Sequence, residues 1–442
     1  MINNNYTRII KLAFPIILAN ASVPLLGLAD TAAIGQTGSA ADLGAIALAS
    51  LVFNFVYWGF GFLRMGTTGF IAQAAGAKDS NEMHALLFRS VLLGLLIGLI
   101  LIFLQKLIGG VALTLLTSSD EIKILVEDYF FIRIWGAPAT LITFSILGTF
   151  IGMGWTRHLL FVQLFLNGLN ILLNIAFVVQ FNLGVKGIAL GTVIAEWTTL
   201  FFASYLLLKK IGINNPWIRV QQLQSKIFNK EKLIALFKVN SDIMIRTLAL
   251  LSGFALFANQ GAKFGDQILA ANHVLLQFVS LSAFFLDGYA HVAEMLTGKA
   301  YGAKDKKIFV REVRYSSNLA AISALILAIL VYALGNTLIP LLTKDVHVQT
   351  IAIQHISYAA IYILLSFAAF QLDGIFIGVT KSKEMRNAAL MALLVFIVSA
   401  YFLTSNYNNI GLWVAFIIYV ITRALALGMY YPSILRTMER RN

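Results

Sequence analysis

The chain contains no cysteine, which excludes disulfides and thiol chemistry. Histidine is scarce: the six stand at 84, 158, 273, 291, 347 and 355, and none forms an HExxH-type pair, so a catalytic metal site is not expected. There is no GxSxG, so no convergent catalytic set supports a membrane-embedded enzyme. No cofactor is expected either. The largest deficit is charge. Only 12% of the residues are Asp, Glu, Lys or Arg, about half of the roughly 25% usual in a soluble domain. Apolar residues take their place, at 59% of 442. Runs of about 20 such residues, enough to cross a bilayer as helix, recur from end to end. Lipid offers the backbone no hydrogen-bond partners, and the alternation of a β-barrel is absent, so the spans are helical. The first apolar segment is too long for a signal peptide and reads as a span.

Charge, Gly and Asn divide the chain into twelve expected spans: 9–36, 44–74, 86–109, 127–152, 158–181, 185–208, 233–260, 267–298, 314–336, 351–378, 387–404 and 410–434. With the N-terminus inside, the inner segments hold 24 of the 33 Lys and Arg, including Arg440 and Arg441. The outer segments hold only Lys106, Lys123, Lys186, Lys263 and Lys344. This asymmetry predicts a multi-pass protein of the cell (inner or plasma) membrane with both termini cytoplasmic. It also accounts for the net charge of +13 without nucleic acid as a partner, because the basic residues spread over every inner loop.

The chain repeats itself. "GAKD" at 76–79 returns at 302–305, and "FIG" at 150–152 returns at 376–378, both at a shift of 226. "LGA" at 43–45 meets "LAA" at 269–271 at the same shift. The expected organisation is an N-lobe of six helices (1–208), a basic cytoplasmic linker (209–232) and a C-lobe of six helices (233–442). An even number of spans per half leaves both the same way up, which is the parallel-repeat plan of transporters.

The repeat provides an internal control for charge. The shift pairs Asp30 with Leu256, Arg64 with Ala290, Asp287 with Gly61, Glu294 with Thr68 and Asp373 with Leu147. None of these intramembrane charges has a counterpart. An Asp at a helix centre costs roughly 2.5–3.5 kcal/mol on insertion scales, so each needs a partner, a water-filled cavity or a task. Asp30, in "VPLLGLADTAAIG", is the leading candidate; only Thr31 is a polar neighbour on its helix. Pro24 removes the helical bond to the Asn20 carbonyl and makes this helix bendable. On the fifth span Gln163, Asn167, Asn170 and Asn174 recur at i, i+4, i+7 and i+11, one stripe of amides facing the interior. Interhelical bonding and functional lining both explain such a stripe. Burial penalises the charged form of a carboxylate, so a lone Asp beside amides can load and release a proton. Amide oxygens of Asn170 and Asn174 with Asp30 could instead cage Na⁺. Arg64, Asp287, Glu294 and Asp373 are second-tier charges. His291 is placed to hydrogen-bond Asp287, and Arg133 and Glu196 read as a structural pair.

Several long stretches carry a resemblance. "PIILANASVPLLGLADTAAIG", "GFLRMGTTGFIAQAAGAKD", "FIGMGWTRHLL", "FFLDGYAHVAEMLTGKAYGAKD" and "LDGIFIGVTKSKEMRN" resemble the multidrug and toxic compound extrusion (MATE) family, in its DinF-like branch. The resemblance implies twelve helices in two pseudo-symmetric six-helix bundles forming a V-shaped cleft. It implies export of amphipathic, often cationic organic compounds in exchange for H⁺ or Na⁺, by a monomer embedded in the bilayer. Asp30 matches the family's first-helix aspartate, linked to cation coupling and helix bending, and Asn170 matches a fifth-helix asparagine. Two positions depart. Asn174 stands where some archaeal members have a second aspartate, and Trp155 stands where many have Asp or Asn. With no second acid close to Asp30 in sequence, H⁺ is favoured over Na⁺. A lipid-linked-sugar flippase of a related two-lobe family is the alternative. It needs a strongly cationic cleft for pyrophosphate, whereas only Arg64, Arg133, Arg246 and Arg423 lie in spans.

Overall fold

The computed structural model describes residues 2–37, 39–115 and 119–439, so Arg440 and Arg441 lie outside the described residues, as does the side chain of Thr31. Among these residues there is no strand. The helices are α1 (Ile2–Thr37), α2 (Ala40–Gly59), α3 (Phe62–Gly76), α4 (Ser80–Phe103), α5 (Gln105–Leu115), α6 (Asp120–Arg133), α7 (Ala137–Met153), α8 (Thr156–Ile175), α9 (Gly184–Ile211), α10 (Pro216–Gln222), α11 (Gln224–Ile227), α12 (Lys230–Ala262), α13 (Asp266–Gly302), α14 (Lys306–Leu342), α15 (Val346–Gly378) and α16 (Ser382–Glu439). Eleven helical stretches among the described residues are long and apolar enough to cross a membrane. The last, α16, is two helices joined at Asn408, whose φ of 49° and ψ of −128° break the helical path, so the candidate crossings among the described residues number twelve. Large apolar side chains such as Phe103, Leu172, Phe201 and Leu425 are exposed, as lipid-facing residues are.

Packing divides the chain into two compact units: Met1–Ile17 with Ala72–Lys78 and Phe237–Asn442, and Leu18–Ile71 with Asp79–Leu236. The boundary thus differs from a cut at the linker. The first turns of α1 pack with the second half of the chain through an Arg8–Glu312 ion pair, a Tyr6–Tyr315 edge contact at 4.8 Å and an Asn318-to-Tyr6 hydrogen bond. The basic segment 209–232 is no bare linker either. It folds as α10 and α11, buries Leu223 and Ile227 against Ala85, and is held by Arg219 to Asn81 (2.7 Å) and by Arg89 to the Lys226 carbonyl (3.2 Å).

The repeated motifs occupy equivalent positions. Lys78 and Lys304 both adopt positive φ (57° and 58°), and Asp79 and Asp305 then cap α4 and α14 by accepting from Glu82 N and Ile308 N. A Cβ on Gly148 or Gly152 would meet the carbonyls of Arg64 and Thr68 at 2.5 and 2.8 Å. One on Gly374 or Gly378 would meet those of Ala290 and Glu294, both at 2.3 Å. Each partner is its counterpart's residue shifted by 226, so the same helix–helix approach is built twice.

Candidate functional site

The amide stripe is interior. Asn167, Asn170 and Asn174 are buried on α8, while Gln163 is half-buried and makes no hydrogen bond among the described residues. The stripe meets α1 at two points. Asn167 Nδ2 donates to Ser22 Oγ at 2.6 Å, and Asn174 Nδ2 donates to Asp30 Oδ1 at 2.7 Å. These contacts flank Pro24. The helix is therefore tied to α8 on both sides of the residue that weakens it, and only the distal tie is titratable. Asn174 Nδ2 also donates to Asn170 Oδ1, so three residues form one chain of bonds: Asp30, Asn174 and Asn170. Directly beyond Asn174 the helix widens into a π-turn over Ala176–Gln180, a feature that recurs at functional sites.

Asn174 turns its nitrogen, not its oxygen, toward the carboxylate. Its Oδ1 is buried without a hydrogen-bond partner among the described residues, packed against Gly191 of α9. A Cβ on Gly191 would lie 2.2 Å from that oxygen. Glycine is needed here for close approach. Gly191→Ala should therefore push the Asn174 amide off Asp30, at an overpacking cost of about 1–3 kcal/mol. We expect a lower Tm and weakened transport together. Wild-type values of both would show that the amide tolerates displacement.

A cation stands behind the carboxylate. Arg133, buried at the end of α6, acts electrostatically on Asp30 and is itself held by Glu196 of α9 in a bidentate pair at 2.7 and 2.6 Å. Its guanidinium lies 5.3 and 5.2 Å from the ring centres of Phe53 and Tyr57 and donates to Tyr57 Oη at 3.3 Å. Gly136 makes room for the pair, since a Cβ there would sit 2.0 Å from Glu196 Oε2. Arg133 and Glu196 form the structural pair expected from the sequence, and the sequence does not announce the electrostatic link of Arg133 to Asp30. The available signal was two opposite charges within spans of the same half.

Arg64 is half-buried on α3, and its carbonyl faces Gly148. Asp287 is half-buried on α13. Glu294 is fully buried, with His291 Nδ1 at 3.3 Å, so the histidine faces Glu294. Asp373 is held by Arg246 and Arg423, a grouping the sequence did not announce. Trp155, at the start of α8 and eight residues before Gln163, packs by Phe150 and His158, with Lys210 Nζ 5.8 Å from its ring centre.

The MatE family profile matches residues 15–176 and 228–402. The chain is 33% identical over 420 residues to DNA damage-inducible protein F of Escherichia coli K12, covering 94% of this chain and 90% of that one. It is 24% identical to the probable multidrug resistance protein NorM of Thermotoga maritima, covering 96% and 92%. The fold is similar to the crystal structure of the Vibrio cholerae MATE transporter VcmN in its bent form, with a TM-score of 0.88, 18% identity and coverage of 99% and 98%.

Proposed function

Because the chain belongs to the MatE family of multidrug and toxic compound extrusion transporters and is a multi-pass membrane protein rather than an enzyme, we propose that it is an H⁺-driven antiporter for amphipathic, cationic organic compounds, with Asp30 as the proton carrier. The observation that carries this reading is the 2.7 Å bond from Asn174 Nδ2 to Asp30 Oδ1. An N–H aimed at a carboxylate favours its ionised form. Ionised Asp30 thus holds the distal half of α1 to α8 and offers negative charge to a cationic substrate. Protonation removes that charge and the reason for the bond. The segment beyond Pro24 is then released, while the Ser22–Asn167 tie keeps the proximal part in place. Coupling follows because proton and substrate prefer different states of one helix.

Na⁺ is disfavoured by the same geometry. Asn174 spends its amide hydrogens on Asp30 and Asn170, so an oxygen cage of Asp30, Asn170 and Asn174 would require turning that amide over. The deciding experiment is efflux of a fluorescent organic cation from proteoliposomes under an imposed pH or Na⁺ gradient. Drive by pH alone is expected. Drive by Na⁺ alone would transfer the site to the cage, and no drive by either would favour the flippase reading.

We further propose that the protein works as a monomer in the cell membrane with both termini cytoplasmic. Since native cysteine is absent, single-cysteine labelling has no background. With a membrane-impermeant maleimide on intact cells, Lys344→Cys should label and Lys226→Cys should label only after lysis. The opposite pattern would invert the topology.

A further inference from the structure

The second unit, with Phe237–Asn442, holds its own buried charge cluster, and its balance is the reverse of the first. Around Asp30, two carboxylates stand with one guanidinium, Arg133. Around Asp373, two guanidinium groups stand with one carboxylate. We propose that the Arg246–Asp373–Arg423 cluster is an anion-binding site, taking a small monovalent anion or a carboxylate group of the transported compound.

The geometry leaves donors to spare. Arg423 Nη2 donates to Asp373 Oδ2 at 2.8 Å, and Arg246 Nη2 is bonded to the same oxygen. All three side chains are more than nine-tenths buried. A guanidinium carries five N–H donors, and neither arginine makes another hydrogen bond among the described residues. The phenols of Tyr419 and Tyr362 also act on Arg423. Tyr419 Oη is buried without a partner among the described residues, and its ring centre lies 5.9 Å from the Arg423 guanidinium. Gly253 of α12 seats that phenol, since a Cβ there would lie 2.8 Å from the oxygen. Asp242, one turn before Arg246, is committed elsewhere, to Arg386 at 2.6 Å and Ser382 at 3.0 Å. The cluster therefore keeps an excess positive charge and unused N–H donors on side chains more than nine-tenths buried, beside one wholly buried O–H, an arrangement that an added acceptor would improve.

An anion corrects both faults at once. A carboxylate matches the planar fork of a guanidinium, and a halide accepts from the same donors. A cation would be repelled. The repeat shows that the scaffold does not require these charges, because Arg246 and Asp373 correspond to Asn20 and Leu147 in the first half.

Three measurements on the full chain test the site. The first is anomalous diffraction from crystals soaked in bromide, where a peak beside Arg246 and Arg423 is expected. The second is calorimetric titration of bromide and of acetate into purified protein. Saturable binding is expected, and it should be lost in both Arg423→Gln and Arg246→Gln; each variant leaves Asp373 one arginine, which protects folding. The third compares efflux of two matched dyes, one a free carboxylate and the other its methyl ester. This third arm rests on the efflux reading above, whereas the first two do not, so failure of either can be told apart. If KM for the carboxylate rises by about tenfold in Arg423→Gln, as loss of one charge-assisted bond produces, with the ester unchanged, the occupant is the substrate's own carboxylate. Saturable bromide and acetate binding with the two dyes handled alike identifies a free anion. No bromide peak, no saturable binding and no difference between the dyes would overturn the proposal.

Discussion

Asp30→Asn is expected to reduce pH-driven efflux to the level of empty liposomes while leaving the protein folded and able to bind substrate. Asn has the shape of Asp without its charge, so it mimics the protonated carboxyl and should weaken the tie that Asn174 Nδ2 makes between α1 and α8. What the variant lacks is a proton to gain. A transporter that cannot change charge at this point has no means of letting H⁺ favour one state over the other. Substrate binding to the purified variant should persist, weakened by loss of one negative charge. The decisive comparison is pH-driven efflux against gradient-free exchange of substrate in the same liposomes. Exchange should survive where net efflux does not. A variant that still concentrates substrate under a pH gradient would remove Asp30 from the coupling mechanism altogether.

Glu196→Gln is expected to be the most destabilising conservative change in the Asp30 unit. Arg133 is buried on all sides, and Glu196 supplies its two strong bonds. Removing one partner of a buried pair leaves an uncompensated charge, at a cost of about 3–5 kcal/mol. The Tyr57 hydroxyl and the ring faces of Phe53 and Tyr57 stabilise the guanidinium but carry no countercharge. Replacing both members, Arg133→Leu with Glu196→Leu, should recover most of the lost stability, because the charge is removed with its partner. Thermal unfolding of the three variants in one detergent gives the ordering. If Glu196→Gln melts with the wild type, Arg133 has found another partner and the pair is not what holds α6 to α9.

Much of this was legible in the residues. Helix as the only spanning structure, the number of crossings and the duplication follow from apolar run length and a constant shift, which are one-dimensional properties. The GAKD repeat is an example: its two copies form the same positive-φ turn and the same Asp cap, because local chemistry dictates both. The amide stripe was legible for the same reason, since α-helical spacing alone puts Asn167, Asn170 and Asn174 on one face. Other features resist such reading. The segment 209–232 looks like a charged linker until Leu223 and Ile227 find Ala85. The first turns of α1 count with the first half in sequence but pack beside Glu312 and Tyr315.

The sequence by itself determined that this is a duplicated, all-helical membrane protein and that Asp30 is an acid without local neutralisation. Periodicity, hydropathy and charge asymmetry act within a single helix or loop, so they can be read without knowing what lies opposite. Only the tertiary structure decided partnership. It brought Asn174 to Asp30, set Arg133 and Glu196 behind them, and gathered Arg246, Asp373 and Arg423 from three distant helices. Electrostatic energy depends on separation and burial, and helix packing brings together residues 50 to 144 positions apart without leaving any periodicity in the chain.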